Sequence, residues 1–187
     1  LNGKEISYNN LLDIDASISL LAEFSEPTVV IVKHNNACGL ASRSTIEQAW
    51  DDALAGDPVS AFGGVICINR PVSTELAEKM NSLFFEVLIA PEFDQKALEL
   101  LSAKKNRIIL KSKNIRFEEM QFRTVLNGVI AQSRDNSTEK VADMTTVTTV
   151  APTPSQFTDL EFANKIVKHT KSNTIVLAKN DQLLASG

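Results

Sequence analysis

Cysteine is scarce in this sequence, and long apolar runs are absent. The 187 residues include two cysteines, Cys38 and Cys67, which are too few for a disulfide framework. No Cys-x-x-Cys or His-x-x-x-His spacing occurs, so we expect no structural zinc site. No apolar run approaches the roughly 18 residues that cross a membrane, and the opening LNGKEISYNN lacks the regions of a signal peptide. We therefore expect a cytoplasmic protein with no membrane partner.

Positive charge is not in excess either. The formal net charge is −4 and the isoelectric point is about 5.3, so the chain as a whole presents no field that favours nucleic acid. The apolar fraction of 43% and the charged fraction of 22% are those of ordinary soluble domains. The sequence has no initiator methionine and stops just after a strand-like segment, so we expect a piece of a longer polypeptide.

Hydrophobic periodicity predicts alternating helices and strands. Five segments have helical spacing of their apolar residues: YNNLLDIDASISLLAEF, STIEQAWDDALAG, STELAEKMNSLF, DQKALELLSAKKN and DLEFANKIVKHTKS. The predicted strands are TVVIVK, VICIN, EVLIAP, RIILK, NGVIAQS, TIVLAK and QLLAS. Ser44 and Glu47 fit a capping box for the second helix. This order predicts an α/β fold with a largely parallel or mixed sheet. The Thr-rich residues 134–156 are expected to form either a surface excursion or an edge strand with a loop.

The stretch TVVIVKHNNACGLA, residues 28–41, ends a buried-looking strand in Lys33 and His34. Ligands in open α/β sheets bind beyond the carboxyl ends of strands, so this end is a candidate site. Histidine transfers protons near neutral pH, and an adjacent cation favours its neutral form. A neutral imidazole can act as a general base for an amine or hydroxyl nucleophile. The alternative is a solvent-exposed lysine beside a histidine that bonds a turn carbonyl.

Other polar residues near the predicted strand ends each have two interpretations. Cys38 could be a nucleophile with His34 as its base, or a small buried residue. The segment GDPVSAFGG contains Gly63 and Gly64, whose backbone could approach a ligand closely or could form a tight entry into the next strand.

Three further residues are ambiguous by spacing alone. His169 fits a solvent-facing position or the C-terminal end of a helix. Asn173 could orient a substrate carbonyl or cap that helix. Glu86 lies near a strand start or a helix end.

Taken together and in order, the motifs of this chain resemble one family. The segments are LNGKEISYNNLLDIDAS, VKHNNACGLA, GDPVSAFGGVI, FFEVLIAPEFDQKALELLSAKKN and DLEFANKIVKHTKSNTIVLAKN. They are similar to the bifunctional purine-biosynthesis family that combines aminoimidazole carboxamide ribonucleotide (AICAR) formyltransferase with inosine monophosphate (IMP) cyclohydrolase. The resemblance covers almost the whole chain and is weakest across residues 112–156.

The resemblance implies a fold and a domain organisation. The family's formyltransferase region is similar in fold to cytidine deaminases, consists of two related subdomains and works as a homodimer. Residues 1–187 look like the first subdomain, a three-layer α/β sandwich with a mixed sheet. The cyclohydrolase domain would precede Leu1, and a Gly-Gln-x-Ser-Arg stretch would follow Gly187. Neither the family nor this sequence has the His-x-Glu and Pro-Cys-x-x-Cys zinc ligands of true deaminases, so no zinc is expected.

The resemblance also implies a reaction and its residues. In that family the 5-amino group of AICAR attacks the formyl carbon of 10-formyltetrahydrofolate, the folate co-substrate. His34 matches the proton-transferring base, and Lys33 matches its partner, which would stabilise the developing tetrahedral oxygen. Asn173 matches a substrate-site asparagine that hydrogen-bonds near the reacting centre, so it is expected to be both a catalytic and a substrate-binding residue. Gly63 and Glu86 match substrate-binding positions, and no residue is assigned to the folate.

One departure from the family's pattern lies beside this site. Bacterial relatives usually have Lys-His-x-Asn-Pro-Cys-Gly, and Ala37 stands here in place of the proline, which leaves a backbone N–H available. Two other functions stay open: a non-catalytic nucleotide-binding or dimerisation module of deaminase-like fold, and a thiol acyltransferase that uses Cys38. Because the second subdomain and upstream phosphate-binding residues are not in this sequence, we expect weak or no activity from the chain alone.

Overall fold

Five α-helices and nine strands occur along the chain, and the computed structural model describes all of residues 1–187. The helices are α1 Tyr8–Leu21, α2 Ile46–Gly56, α3 Thr74–Asn81, α4 Gln95–Ser102 and α5 Pro154–Lys168. The strands are β1 Thr28–Lys33, β2 Asn36–Ser42, β3 Val65–Ile68, β4 Val87–Ala90, β5 Ile108–Lys111, β6 Met120–Val125, β7 Gly128–Ser133, β8 Val176–Lys179 and β9 Gln182–Ser186. None of the helices combines the length and the apolar character that a membrane crossing needs.

Seven strands form one mixed sheet in the order β5-β4-β3-β1-β2-β9-β8. Strands β3, β4 and β5 are parallel, whereas β1 is antiparallel to its neighbours β2 and β3. Strand β9 is antiparallel to β2 and to β8. The predicted α/β fold with a mixed sheet is therefore confirmed. In this topology the carboxyl end of β1 lies at the same end of the sheet as the amino ends of β3, β4 and β8.

Helices cover both faces of the sheet, so the structure has three layers. In β1, Val29 and Ile31 point into a core that includes Trp50 and the apolar sides of α2, α3 and α4. Val30 and Val32 point the other way, into a second core formed with α1 and α5. The β-branched residues of β1 suit a strand, and they are apolar without alternation because both faces are covered.

The start of α2 differs from the predicted capping box. Thr45, not Ser44, is the N-cap residue, and its hydroxyl accepts a hydrogen bond from the backbone N–H of Gln48 at 3.3 Å. Glu47 does not reach back to the cap, because its carboxylate accepts a hydrogen bond from the hydroxyl of Ser73, the N-cap residue of α3. The predicted Ser44–Glu47 box is therefore wrong by one residue.

Two other boundaries differ from the sequence prediction. The residues after His34 and Asn35 form a full strand, β2, which is not among the strands predicted from the sequence. Helix α5 begins at Pro154, five residues before the predicted start, because Thr153 caps it and proline fits a first helical position. Of the two alternatives for residues 134–156, the surface excursion is observed, with a short 3-10 helix at Val141–Asp143 before α5 starts.

Strands β6 and β7 form a separate antiparallel hairpin outside the main sheet. Every residue of both strands is exposed. The register places Met120, Phe122, Val129 and Ala131 on one face, which carries no charged residue. The hairpin therefore contributes nothing to the two cores that position the candidate site.

Candidate functional site

A two-residue turn joins β1 to β2 and places His34 at the carboxyl end of β1. Lys33 pairs with Asn36 across the hairpin, so His34 and Asn35 form its tip. Both tip residues have positive φ angles, 55° and 63°. Two-residue hairpin loops favour this conformation but usually place Asn-Gly there, because a Cβ atom is unfavourable at positive φ. A histidine in this position is therefore a costly choice for the turn.

Lys33 and His34 line the same cavity. It has a volume of about 400 Å³ and is here called the strand-end cavity; the other residues that line it are Asn36, Ala37, Cys38, Gly56, Asp57, Ser60, Leu184, Ala185 and Ser186. The Lys33 ammonium donates a hydrogen bond to the backbone carbonyl of Phe62 at 2.8 Å. His34 is exposed, so its imidazole is accessible to a ligand in this cavity.

Asp57 supplies a negative charge in the strand-end cavity. The Ser60 side chain and backbone both hydrogen-bond to the Asp57 carboxylate, which lowers the pKa of that carboxyl, and the nearby Lys33 charge lowers it further. Asp57 is therefore ionised at neutral pH. The cavity thus combines an ammonium, a carboxylate and an accessible imidazole, which is a set of groups that can move a proton and stabilise an oxyanion.

Cys38 is in the strand-end cavity but is not activated as a nucleophile. Burial, followed by the Asp57 charge, raises the pKa of its thiol to about 11. The thiol donates a hydrogen bond to the Ile31 carbonyl at 3.5 Å. The register between β1 and β2 shifts beside Ile31, which leaves Cys38 without a cross-strand partner, as in a β-bulge. The structural interpretation of Cys38 is supported, and the thiol acyltransferase hypothesis is not.

The two glycines before β3 form a tight strand entry. The Gly63 N–H donates to the Phe84 carbonyl at 2.8 Å, and the Gly64 N–H donates to the Ala61 carbonyl at 3.0 Å. Both N–H groups are therefore used within the chain and do not point at a ligand. Gly63 has a φ of 75°, which other residues rarely adopt.

Glu86 lies directly before β4, at the same end of the sheet as Lys33. Its N–H donates to the Gly64 carbonyl at 3.0 Å, and its carboxylate pairs with Lys4 at 2.6 Å. Glu86 lines a second cavity of about 360 Å³, not the strand-end cavity, together with Lys4, Phe84, Phe85, Lys104, Lys105, Asn106 and Arg107. The ambiguity left by the sequence is resolved in favour of a strand start.

Asn173 lies in the loop between α5 and β8 and is exposed. It does not cap α5, whose C-cap residue is His169. Lys171, two residues earlier, donates its backbone N–H to the Asn36 side chain at 3.1 Å and its ammonium to the Asn35 side chain at 3.0 Å. The loop that carries Asn173 is therefore attached to the His34–Asn35 turn, although Asn173 itself does not line the strand-end cavity.

His169 belongs to a separate polar network at the end of α1. Its Nε2 lies 2.9 Å from Glu23 Oε1, which also accepts a hydrogen bond from Lys168 at 2.8 Å. Burial by itself raises the pKa of Glu23, but the hydrogen bonds and charges of Lys168 and His169 outweigh it, so this pKa lies below its ordinary value. The helix-end interpretation of His169 is therefore confirmed, and its role here is structural.

A larger groove of about 880 Å³ lies at the opposite end of the sheet and includes Arg43, Asn180 and Asp181. The Arg43 guanidinium donates to the backbone carbonyls of Asn180 and Asp181 and to the Asp52 carboxylate. These contacts hold the β8–β9 turn against α2. Arg43 is thus used for structure, and none of the candidate catalytic or substrate-binding residues from the sequence lies in this groove.

Metal-ligating side chains are not clustered in the structure. No group of three or more His, Cys, Asp and Glu side chains is arranged to hold a metal ion.

The family of the chain follows from comparison with known proteins. The model of the family described as AICARFT/IMPCHase bienzyme matches residues 1–187. The chain belongs to this family. The resemblance noted in the sequence is confirmed.

Curated relatives in this family share high identity over the whole chain. The chain is 60% identical to the bifunctional purine biosynthesis protein PurH of Bacteroides thetaiotaomicron and 52% identical to that of Lacticaseibacillus casei. It is 46% identical to the PurH protein of Leuconostoc citreum. In each comparison all of this chain is covered, but only 37% or 38% of the relative's length. The chain thus spans little more than a third of these relatives.

Sequence reasoning missed two residues that contact the His34–Asn35 turn. Asp13 on α1 and Lys171 after α5 both contact Asn35. They are 22 and 136 positions away from it, and no spacing rule links residues of three different elements. Asp57 and Ser60, by contrast, lie in the GDPVSAFGG segment that the sequence did single out.

Proposed function

We propose that this chain acts in purine biosynthesis and supplies part of a site for formyl transfer to AICAR. The formyl donor is 10-formyltetrahydrofolate, and the acceptor is the 5-amino group of the ribonucleotide. The observation that carries the proposal is that Lys33 and His34 line one cavity at the carboxyl end of β1. Membership of the AICARFT/IMPCHase family supports the class of reaction.

His34 has the chemistry that this reaction needs. The amine of AICAR is a poor nucleophile because its lone pair delocalises into the imidazole ring. When the amine nitrogen bonds to the formyl carbon, it must lose a proton, and the His34 imidazole accepts it as a general base. The tetrahedral intermediate then breaks its bond to N10 of the folate, which takes up a proton. The products are the formylated ribonucleotide and tetrahydrofolate.

Lys33 stabilises the charge that develops during this transfer. As the amine adds, the formyl oxygen becomes an oxyanion, and a fixed ammonium lowers the free energy of that state. The contact with the Phe62 carbonyl uses one of the three ammonium N–H groups, which leaves two for the oxyanion.

Asn173, Gly63 and Glu86 are proposed as substrate-binding residues. Their support is positional: Gly63 and Glu86 precede β3 and β4, and Asn173 precedes β8, so all three lie at the end of the sheet where β1 delivers His34. The Asn173 amide is exposed and can hydrogen-bond the substrate near the reacting centre. The Glu86 carboxylate can accept hydrogen bonds from hydroxyl groups.

At the level of the whole protein, we propose a cytoplasmic homodimer with two activities. The chain is then the first of two related formyltransferase subdomains with a cytidine deaminase-like fold, and an IMP cyclohydrolase domain lies elsewhere in the polypeptide. The three layers and mixed sheet of this chain are compatible with such a fold. The short span relative to PurH proteins supports a division of the enzyme among several domains.

Replacement of His34 tests the proposal in a full-length enzyme that contains this chain. His34→Ala is expected to lower kcat for formyl transfer by about 100-fold or more, since a general base contributes that much, while the unfolding midpoint changes little. Cys38→Ser, a matched change in the same cavity, should keep the wild-type rate. A His34→Ala enzyme with full activity would refute the proposal and favour a non-catalytic nucleotide-binding or dimerisation module.

A further inference from the structure

We propose that Asp13 is a positioning residue that holds the His34–Asn35 turn in the conformation required for catalysis. This inference rests on the proposed function, because it assigns to Asp13 an effect that passes through His34. Asp13 lies on α1, outside the strand-end cavity, and does not touch the reacting groups. Its hydrogen bonds reach the turn through Asn35.

The contact between Asp13 and Asn35 is double and short. One carboxylate oxygen of Asp13 accepts hydrogen bonds from both the backbone N–H and the side-chain amide of Asn35, each at 2.7 Å. Hydrogen bonds to a carboxylate are about twice as strong as those between neutral groups. Asp13 thus fixes the backbone and the side chain of the residue next to His34 at the same time.

Lys171 holds the turn from the other side. Its ammonium donates to the Asn35 side-chain oxygen at 3.0 Å and reaches the His34 carbonyl at 3.5 Å. The Asn35 amide group is therefore bound by Asp13 through its nitrogen and by Lys171 through its oxygen. Three elements meet at this one side chain: α1, the β1–β2 turn and the loop that carries Asn173.

These contacts explain why a histidine can occupy the turn. His34 and Asn35 both have positive φ, and a strained backbone persists only where the surroundings fix it. Asparagine and histidine both adopt this region more often than most residues, but neither adopts it as readily as glycine. The structure therefore uses external contacts to keep an imidazole where Asn-Gly would form the turn unaided.

The first test is hydrogen exchange on a full-length enzyme that contains this chain, which does not depend on any activity. In Asp13→Ala the Asn35 backbone amide loses its acceptor, so its exchange should accelerate by at least about tenfold. Amides of the buried strand β3 should not change. Asp13→Asn retains a side-chain oxygen and should protect Asn35 partly. Asp15→Ala, an exposed carboxylate on the same helix, is the control and should have no effect. Unchanged Asn35 exchange in Asp13→Ala would refute the inference.

The second test measures formyl transfer in a full-length enzyme that contains this chain. Asp13→Ala should lower kcat by about 10- to 100-fold with little change in KM for AICAR, because a displaced base slows the chemical step. Since Asp13 acts through His34, the double variant Asp13→Ala/His34→Ala should be no slower than His34→Ala alone. Multiplied effects in the double variant would contradict the proposal.

A rescue variant separates positioning from general stability. Glycine adopts positive φ at little cost, so Asn35→Gly should restore much of the kcat that Asp13→Ala loses, although it restores no contact to Asp13. A purely structural role of Asp13 predicts no such recovery. If His34→Ala alone has full activity, the proposed function fails, and the exchange experiment still decides whether Asp13 holds the turn.

Discussion

The Lys33 ammonium lies 2.8 Å from the backbone carbonyl oxygen of Phe62. This contact joins the carboxyl end of β1 to the turn that precedes β3. It fixes a long, flexible side chain beside His34, so in the proposed reaction the charge would not have to be brought into place. A charge fixed in advance stabilises a transition state better than a mobile one.

Removal of the Lys33 charge should therefore slow the chemical step. In a full-length enzyme, Lys33→Met keeps the length of the side chain and should lower kcat for formyl transfer by about 100-fold. Lys179→Met, which removes an exposed lysine at the opposite end of the sheet, is the control and should leave the rate unchanged. Equal rates for both variants would exclude Lys33 from oxyanion stabilisation.

Cys38 should be unreactive toward alkylating reagents in the folded chain. With its pKa raised from 9.0 to about 11, the thiolate fraction at pH 8 is about 100-fold lower than for an ordinary thiol. Iodoacetamide labelling followed by mass spectrometry at pH 8 measures this directly, with the urea-unfolded chain as the reference. Equal labelling rates in the folded and unfolded chains would contradict the assigned environment of Cys38.

Gly63→Ala should destabilise the chain through its backbone. The added Cβ would lie 3.7 Å from the Phe84 ring, which is an ordinary contact, but φ at this position is +75°. We expect a loss of about 1–2 kcal/mol in the free energy of unfolding, measured by urea denaturation. Gly128→Ala, where no positive φ is required and the nearest atom is 3.9 Å away, is the matched control. A similar loss at both sites would argue against backbone strain as the cause.

Glu23 should make stability depend on pH on the acid side. Its folded-state pKa lies below the ordinary value of 4.5, so its stabilising contribution is fully present above that value and is lost as the pH falls through the lower folded-state pKa. The free energy of unfolding should fall more between about pH 5 and pH 3 in the wild type than in Glu23→Gln. Glu26→Gln, an exposed control, should follow the wild type. Parallel curves for Glu23→Gln and the wild type would show that the network has no net effect.

Much of the fold could be predicted from local patterns. The β-branched run TVVIVK and its flanking residues predicted a strand from Thr28 to Lys33, and the structure has β1 with the same limits. Strand β2 could not be found in this way, because its small residues and Gly39 resemble a turn and it forms only by pairing with β1. The start of α2 at Ile46 depended on which of two adjacent hydroxyls, that of Ser44 or that of Thr45, caps the helix, and periodicity does not determine this.

The candidate site could be predicted only in part, for a similar reason. Lys33 and His34 are adjacent in the sequence and end a strand, so their position was accessible from the pattern. The contacts of Asn35 with Asp13 and Lys171 arise from the arrangement of three separate elements. Gly63 and Glu86 were expected at the site, but their N–H groups are used in strand-entry hydrogen bonds, which no motif could reveal.

The most direct test of the account is the position of the His34 imidazole relative to the amine that we propose it deprotonates. A crystal structure of a full-length enzyme that contains this chain, with AICAR and a non-reactive folate analogue bound, measures that distance. The account predicts that an imidazole nitrogen lies within about 2.6–3.2 Å of the 5-amino nitrogen, or is linked to it by one water. An amine held against a different side chain, with His34 turned away from it, would contradict the account.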